Sequence, residues 1–564
     1  MPSHHTPLHV AAARAVGVDD LKVDAPPRAD LGDLAVGCFT LAKAQGKKPA
    51  ELAQQIAAAF TPNEWLASAT AAGPFVNFRA NRPAVYRWLV DVVLRGQLLP
   101  RTLGAGKTIC IDYGSPNISK HLAYHHIRGT TIGHSLSRTF GALGYRVVDI
   151  NFLGDWGTTH GMVLAAYHEA GTTAEPTVEL LHELYVAFRN KYDDATQRAR
   201  GREVLKKLES GDPEATALWQ RFRDVSWAEF EEIYRILDIE YQDLNGESFF
   251  WREGDRLANE LRARGLLVDS LDAEVVELEG EDNPIILRTK DGTTLYATRD
   301  LAAAIYRWEQ YQPDRSLYVV DSGQATHFNQ LFKLLRKMGH DWAARYQHVP
   351  YGLVQVGGKK TGTRLGNVVL MRDVFAIAED EVRAKIAEVN PTLPADIIGK
   401  VAREVGIGAV IFANLAPQRN KNIEFDIDKA VSLDGDSGPY LQMQHARCSS
   451  VFRKAGEEVA NIEGIDFSKL GHDAEWAIAK RLLDYPTMVV RAADGCEPHL
   501  ICHYLLELAA EFSRWWTLGN GEPALRVLVD DREVRRARLA LVAAVRATLR
   551  EGLSLLGMAA PEQM

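Results

Sequence analysis

Apolar residues recur along this chain with two different periods, and the changes between them mark its elements. Between Lys48 and Phe60, the residues Leu52, Ile56 and Phe60 stand four apart, the spacing of one helix face. Gly73-Pro-Phe-Val-Asn-Phe78 then alternates as a strand does. Pro100 and the Gly104 to Gly106 stretch break the pattern and predict a linker. The run Thr108-Ile-Cys-Ile-Asp-Tyr113 has the character of a buried strand. A polar loop follows, Gly114-Ser-Pro-Asn-Ile-Ser-Lys120, and then a predicted helix from about His121 to Leu143, closed by Gly144. Arg146 to Phe152 reads as the next strand. Strand, loop, helix and strand in this order form a βαβ unit, which implies a parallel, doubly wound sheet.

Pro176 to Ile239 is charged and helical in pattern, as an inserted segment would be. Sheet strands are predicted again around Glu274 to Leu287, Thr294 to Ala297 and Ser316 to Val320. After Lys360 the pattern is almost wholly helical. Its last helix carries Val542, Val545, Leu549, Leu553 and Leu556 at three- and four-residue steps and is closed by Gly557 and Pro561. At 564 residues the chain exceeds one core. The expected fold class is α/β, a doubly wound parallel sheet, with an α+β unit before it and an all-α unit after it. The expected divisions are residues 1–98, then 99–370 with the helical insertion at about 170–245, then 371–430 and 431–564.

Composition narrows the class only a little. Apolar residues at 46% and charged residues at 25% describe an ordinary globular chain. No apolar run is long enough for a membrane span, and the N-terminus lacks a signal-peptide pattern, so the expected location is the cytoplasm. A net charge of -9 speaks mildly against nucleic acid, although an acidic protein can still carry a basic face. The 5 cysteines are scattered, as reduced thiols are. Cys496, His499, Cys502 and His503 could be read as metal ligands, but their spacing turns progressively around a predicted helix. No metal site is expected there.

Ligands of open parallel sheets lie beyond the carboxyl ends of the strands, and the loop from Asp112 to Lys120 leaves the first such strand for a helix N-terminus. On composition alone that loop is a weak signal. In sequence, however, Asp112-Tyr-Gly-Ser-Pro-Asn-Ile-Ser-Lys120 followed by Gly154-Asp-Trp-Gly-Thr158 resembles the signature of arginyl-tRNA synthetases, a class I family. Further matches follow in order: Gly246-Glu-Ser-Phe249, Leu295-Tyr-Ala-Thr-Arg-Asp300, Gly438-Pro-Tyr-Leu-Gln442 with His445-Ala-Arg447, and the closing Gly552 to Gly557 and Pro561 to Met564. Leu31-Gly-Asp33 and Leu41-Ala-Lys43 are similar to the family's N-terminal domain, which touches the tRNA elbow. The resemblance implies a Rossmann-like catalytic domain, a helical anticodon-binding domain, and the activation of L-arginine with ATP and Mg²⁺ for transfer to tRNA(Arg). It also implies a monomer as the common state.

The resemblance further implies site residues. Asn117 would hold the α-amino or carboxylate end of arginine, Tyr296 would pack on the guanidinium, and Asp300 would pair with it. Gln324, Asp112 and Ser115 would complete the ring. A planar, permanently charged group is well served by a carboxylate and an aromatic face. Tyr296 and Asp300, four residues apart, would share one face of a helical turn. For ATP the implied residues are Lys120, His125, His126 and Lys360, with Lys120, His126, Lys360 and Arg364 as positive catalytic groups. For tRNA they are Tyr440, Gln442 and Arg447.

The ATP side departs from the family pattern. The class signature His-Ile-Gly-His falls on Ala123-Tyr-His-His126, which keeps only the final His. The second signature, Lys-Met-Ser-Lys-Ser, falls on Lys360-Thr-Gly-Thr-Arg364 without its second Lys. Many members of the family lack that Lys and use one just before the first signature, where Lys120 stands. Three readings follow from the sequence: an arginine–tRNA ligase, a paralogue that conjugates arginine or confers resistance, and a non-catalytic protein binding arginine or tRNA.

Overall fold

The unbroken apolar run at Thr108–Asp112 becomes an inner strand of a four-stranded parallel sheet in the computed structural model, which describes residues 6–17, 23–172, 174–270, 273–289, 294–356, 369–389 and 394–564. Both faces of such a strand are covered, which is why it carries no alternation. The strand order is Tyr346–His348, Arg315–Tyr318, Thr108–Asp112, Arg146–Ile150. Tyr318, Asp112 and Ile150 stand in register, so their carboxyl ends open at one level.

The helix Ile127–Ala142, entered through a short 3₁₀ turn at Tyr124–His126, connects the inner strand to Arg146–Ile150. It is wedged between the sheet and the C-terminal helices, where the Ser135 hydroxyl donates to the Leu555 carbonyl at 2.9 Å. The helix is thereby fastened from behind to the last helix, Arg532–Leu555.

Two expected strands come out differently. Thr294 to Ala297 is not a strand: Leu295 is extended, and Tyr296 opens the helix Tyr296–Tyr311. The β-preference of a short Thr–Leu–Tyr run is outweighed by the helix face that buries Ala297, Leu301, Ala302 and Ala304. Glu274 to Leu287 does not continue the parallel sheet either. Val268–Ser270, Ala273–Val276 and Ile285–Thr289 form a separate antiparallel sheet in that order. Beyond residue 369 the described chain is helical apart from Ile423–Phe425, which pairs in parallel with Val354–Val356.

Ahead of the parallel sheet, Val23–Asp24, Leu34–Gly37, Phe75–Ala80 and Leu66–Ala72 form an antiparallel sheet in that order. The strand expected from Gly73 begins at Phe75, because Gly73 takes a left-handed φ of 57° in the turn before it. The charged segment folds as the helices Val178–Lys191, Asp194–Glu209 and Pro213–Ile236. Among the described residues no helix is long and apolar enough to cross a membrane.

Candidate active site

The open ends of the strands border a cleft of about 690 Å³ that is lined by Asp112, Ser115, Asn117, Tyr296, Asp300 and Gln324. The structure therefore brings together every residue expected around arginine. Tyr296 and Asp300 reach it from the first turn of their helix, Asp112 from its strand end, and Gln324 from the turn Ser322–Gln324.

The loop after Asp112 is held by short-range bonds. Ser115 donates to Asp112 Oδ1 at 2.9 Å, and the Phe152 amide donates to Ser115 Oγ at 2.9 Å. Asn117 pairs with Gly154 across a parallel bridge, and a Cβ at Gly154 would come within 2.1 Å of Asn117 Oδ1. Only glycine fits there. The neighbouring Asp155 is fully buried and accepts from the Ser248 amide at 2.8 Å, the Ser248 hydroxyl at 2.7 Å and Arg223 Nε at 3.1 Å. The Gly154-Asp-Trp-Gly segment thus acts as a bracket that fixes Asn117. Ser119 stands at φ 62°, a left-handed conformation unusual for serine, with its amide bonded to Ser226 Oγ at 2.9 Å.

Among the described residues lining the cleft, three carboxylates have a cationic or imidazole partner, whereas Asp321 accepts from the Gly323 amide at 2.9 Å and from Gln324 Nε2 at 3.2 Å. Asp112 accepts from Arg307 Nη2 at 2.7 Å. Burial raises the Asp112 carboxyl, and the Arg307 guanidinium opposes that rise. Asp300 Oδ2 lies 2.6 Å from His327 Nε2, and the Tyr296 ring leans on the same His327 at 4.9 Å. Glu247, at the start of the helix Glu247–Ala263, accepts from Arg299 Nε at 2.9 Å and also faces the cleft. Burial pushes it up to about 7, with Arg299 opposing and Asp300 and Asp155 adding to the rise. Sequence reasoning missed Arg307 and His327 altogether and assigned Glu247 no role. Arg307 had a faint signal, being a charge next to the apolar stretch Leu301–Ile305. His327 had none.

The nucleotide side is different in kind. His125 and His126 line the cleft and also an adjoining cavity of about 420 Å³ bordered by Lys120 and Ala123. Their rings lie 4.0 Å apart. Burial, with His125 adding to it, drives His126 down to about 4, and its Nδ1 faces the Ala123 carbonyl at 3.0 Å. Burial thus works against the positive charge expected of His126. Lys120 places Nζ 5.7 Å from the Tyr185 ring centre. Lys360 and Arg364 lie outside the described residues.

Of the residues expected to touch tRNA, Tyr440 and Arg447 are half-buried on the helix Gly438–Ala455, with Arg447 over the Trp516 ring at 5.6 Å. Gln442 is fully buried and donates to the Glu404 and Ala559 carbonyls at 3.2 and 3.0 Å. It has no surface for RNA and instead docks the C-terminal tail, a correction to its expected role. Cys496 and Cys502 are both buried.

Comparison with known proteins bears on the same residues. A family model described as tRNA synthetases class I (R), catalytic domain, matches residues 89–427. The chain belongs to the arginyl-tRNA synthetase family. The DALR anticodon binding domain matches residues 441–564, and the arginyl tRNA synthetase N terminal domain matches 8–80. A protein of Exiguobacterium sibiricum named arginine–tRNA ligase is 41% identical over 569 residues, covering 99% of this chain and 98% of that one. One of the same name from Lactobacillus johnsonii is 39% identical over 549 residues, covering 96% of each. Among solved structures, Thermus thermophilus arginyl-tRNA synthetase superposes with a TM-score of 0.82 at 26% identity, covering 98% of each chain. For a class I arginyl-tRNA synthetase the parallel sheet is the catalytic scaffold, and the cleft at its carboxyl ends is where the family's chemistry belongs.

Proposed function

We propose that this chain is an arginine–tRNA ligase, and that the cleft beyond Asp112 binds arginine with its guanidinium between Tyr296 and the carboxylates of Asp300 and Glu247. The observation that carries the reading is the convergence of Tyr296, Asp300, Asn117 and Gln324 on one cleft at the switch end of the sheet. In the first step an arginine carboxylate oxygen attacks the α-phosphorus of ATP and pyrophosphate leaves. In the second, a hydroxyl of the terminal tRNA ribose attacks the arginyl carbonyl carbon and AMP leaves. Catalysis of this kind is mostly positioning and charge stabilisation. Asn117 and Ser115 would orient the amino-acid end, and Gln324 would close the ring.

Lys120 supplies positive charge to the phosphates, with Lys360 and Arg364 assigned the same task from the family resemblance. His125 and His126 would contact the nucleotide as neutral imidazoles. The cavity beside Lys120 has no carboxylate among its described lining residues, so Mg²⁺ would arrive on the triphosphate oxygens rather than on a protein site. Tyr440 and Arg447 are the tRNA contacts we retain. Residues 1–98 would serve the tRNA elbow, 99–370 the chemistry, and 431–564 the anticodon, joined by the helical connection 371–430. A cytoplasmic monomer is the working state we propose, following the family's common case.

The decisive experiment is ATP–pyrophosphate exchange with purified protein, arginine and bulk tRNA, followed by charging of tRNA. Arginine-dependent exchange and accumulation of arginyl-tRNA are expected. Absence of exchange despite measurable arginine binding would overturn the ligase reading.

A further inference from the structure

The helical insertion and the signature loop meet at a group of metal-ligating side chains that the arginine cleft does not use. His121, next to Lys120, places Nδ1 2.8 Å and 3.0 Å from the carboxylate oxygens of Glu229. Its Nε2 lies 3.8 Å from Glu179 Oε1. One donor atom from each of the three residues can be chosen so that all lie within 4.8 Å of one another. A tetrahedral ion with bonds near 2 Å has donors about 3.3 Å apart, so an ion held by one His121 nitrogen would have to draw this looser group of donors together.

The three residues come from separate elements. His121 belongs to the loop, Glu179 to the first turn of Val178–Lys191, and Glu229 to Pro213–Ile236. The His121 and Glu229 side chains are 14% and 16% exposed, and that of Glu179 is 55% exposed, so the group is sheltered on the inside and open on the outside. His121 also lines the cavity beside Lys120, which gives an ion a second way in. His182, one turn along from Glu179, brings its ring to 6.5 Å from His121, and its Nδ1 is buried with no hydrogen-bond partner.

The charge here exceeds what a simple ion pair needs. Two carboxylates flank a single imidazole, and Arg372 reaches only Glu179, at 3.5 Å. An imidazole with two carboxylates is a donor set for zinc-type ions, whereas Mg²⁺ and Ca²⁺ prefer oxygen alone.

We propose that His121, Glu179 and Glu229 bind a divalent transition-metal ion of the zinc class, with water or His182 as fourth ligand, and that this ion fastens the insertion to the loop carrying Lys120. The loop already leans on the same helix, through Lys120 over Tyr185, and already holds a left-handed residue at Ser119. An ion at His121 would hold Lys120 in place without touching substrate.

The test uses the full-length protein, stripped with a chelator and titrated with Zn²⁺ by calorimetry. One ion per chain is expected to bind in a step that His121→Gln and the more exposed Glu179→Gln each weaken by at least about tenfold. Hydrogen exchange over residues 178–191 slows when Zn²⁺ is added to the parent protein and does not change in either variant. Equal Zn²⁺ affinity in the parent and both variants, or unchanged exchange at saturating Zn²⁺, would overturn the proposal. Neither readout involves arginine or ATP, so its failure leaves the ligase reading untouched.

Discussion

The two sides of the cleft handle charge in opposite ways. On the side proposed for arginine three acidic groups have a resident cationic or imidazole partner: Asp112 with Arg307, Glu247 with Arg299, Asp300 with His327. On the side proposed for the nucleotide, burial lowers the pKa of His125 and His126, and Lys120 is the only lysine or arginine among the described residues lining the adjoining cavity. The reason lies in what each ligand brings. A carboxylate waiting in a low-dielectric site for a guanidinium would be unpaired and costly, so the fold supplies partners in advance. ATP carries its own charge and counter-ion, so imidazoles with a lowered pKa on that side leave no unpaired charge behind.

The contrast can be tested by breaking one side at a time. Asp300→Ala removes both the proposed guanidinium ligand and the partner of His327. We expect kcat/KM for arginine to fall roughly a thousandfold, in the range of about 3–5 kcal/mol for breaking a buried pair. A loss expressed instead in KM for ATP would show that the two sides are not separable. Lys120→Ala should lower kcat of pyrophosphate exchange about a hundredfold at saturating arginine, as removal of one transition-state donor typically does. Were arginine KM to change as much as kcat, Lys120 would belong to the wrong side.

A pH series tests the arginine side more gently. Glu247 titrates at about 7, and guanidinium binding calls for its ionised form. KM for arginine should therefore rise towards about tenfold per pH unit as pH falls below 7 and stay flat above it, with the slope absent in Glu247→Gln. The same shift opposes folding. The native state favours the protonated acid, so stability from this group declines as pH rises from 4.5 to about 7. The smallest effect is expected from His125→Gly, which opens the nucleotide side. KM for ATP should fall about fivefold, on the order of 1 kcal/mol. An increase would show the imidazole to be an adapted contact.

Legible in the sequence were the inner strand of the parallel sheet and six residues that line the cleft. Unbroken apolar runs such as Thr108-Ile-Cys-Ile mark strands buried on both faces, and the loop motifs carry the family resemblance. It misread Thr294 to Ala297, because a run of four residues says nothing about the helix face that follows. It also placed Gln442 at the tRNA, because burial by a carbonyl more than a hundred positions away is invisible in a local motif.

Only the tertiary structure decided the partners. Arg307 meets Asp112 across 195 positions and His327 meets Asp300 across 27, through the packing of helices onto strand ends. The same holds for the lowered pKa of His126, which depends on burial rather than on residue type. Local pattern specifies which chemistry a chain can offer. Charge state and pairing depend on dielectric and distance, and those exist only once the chain has closed around them.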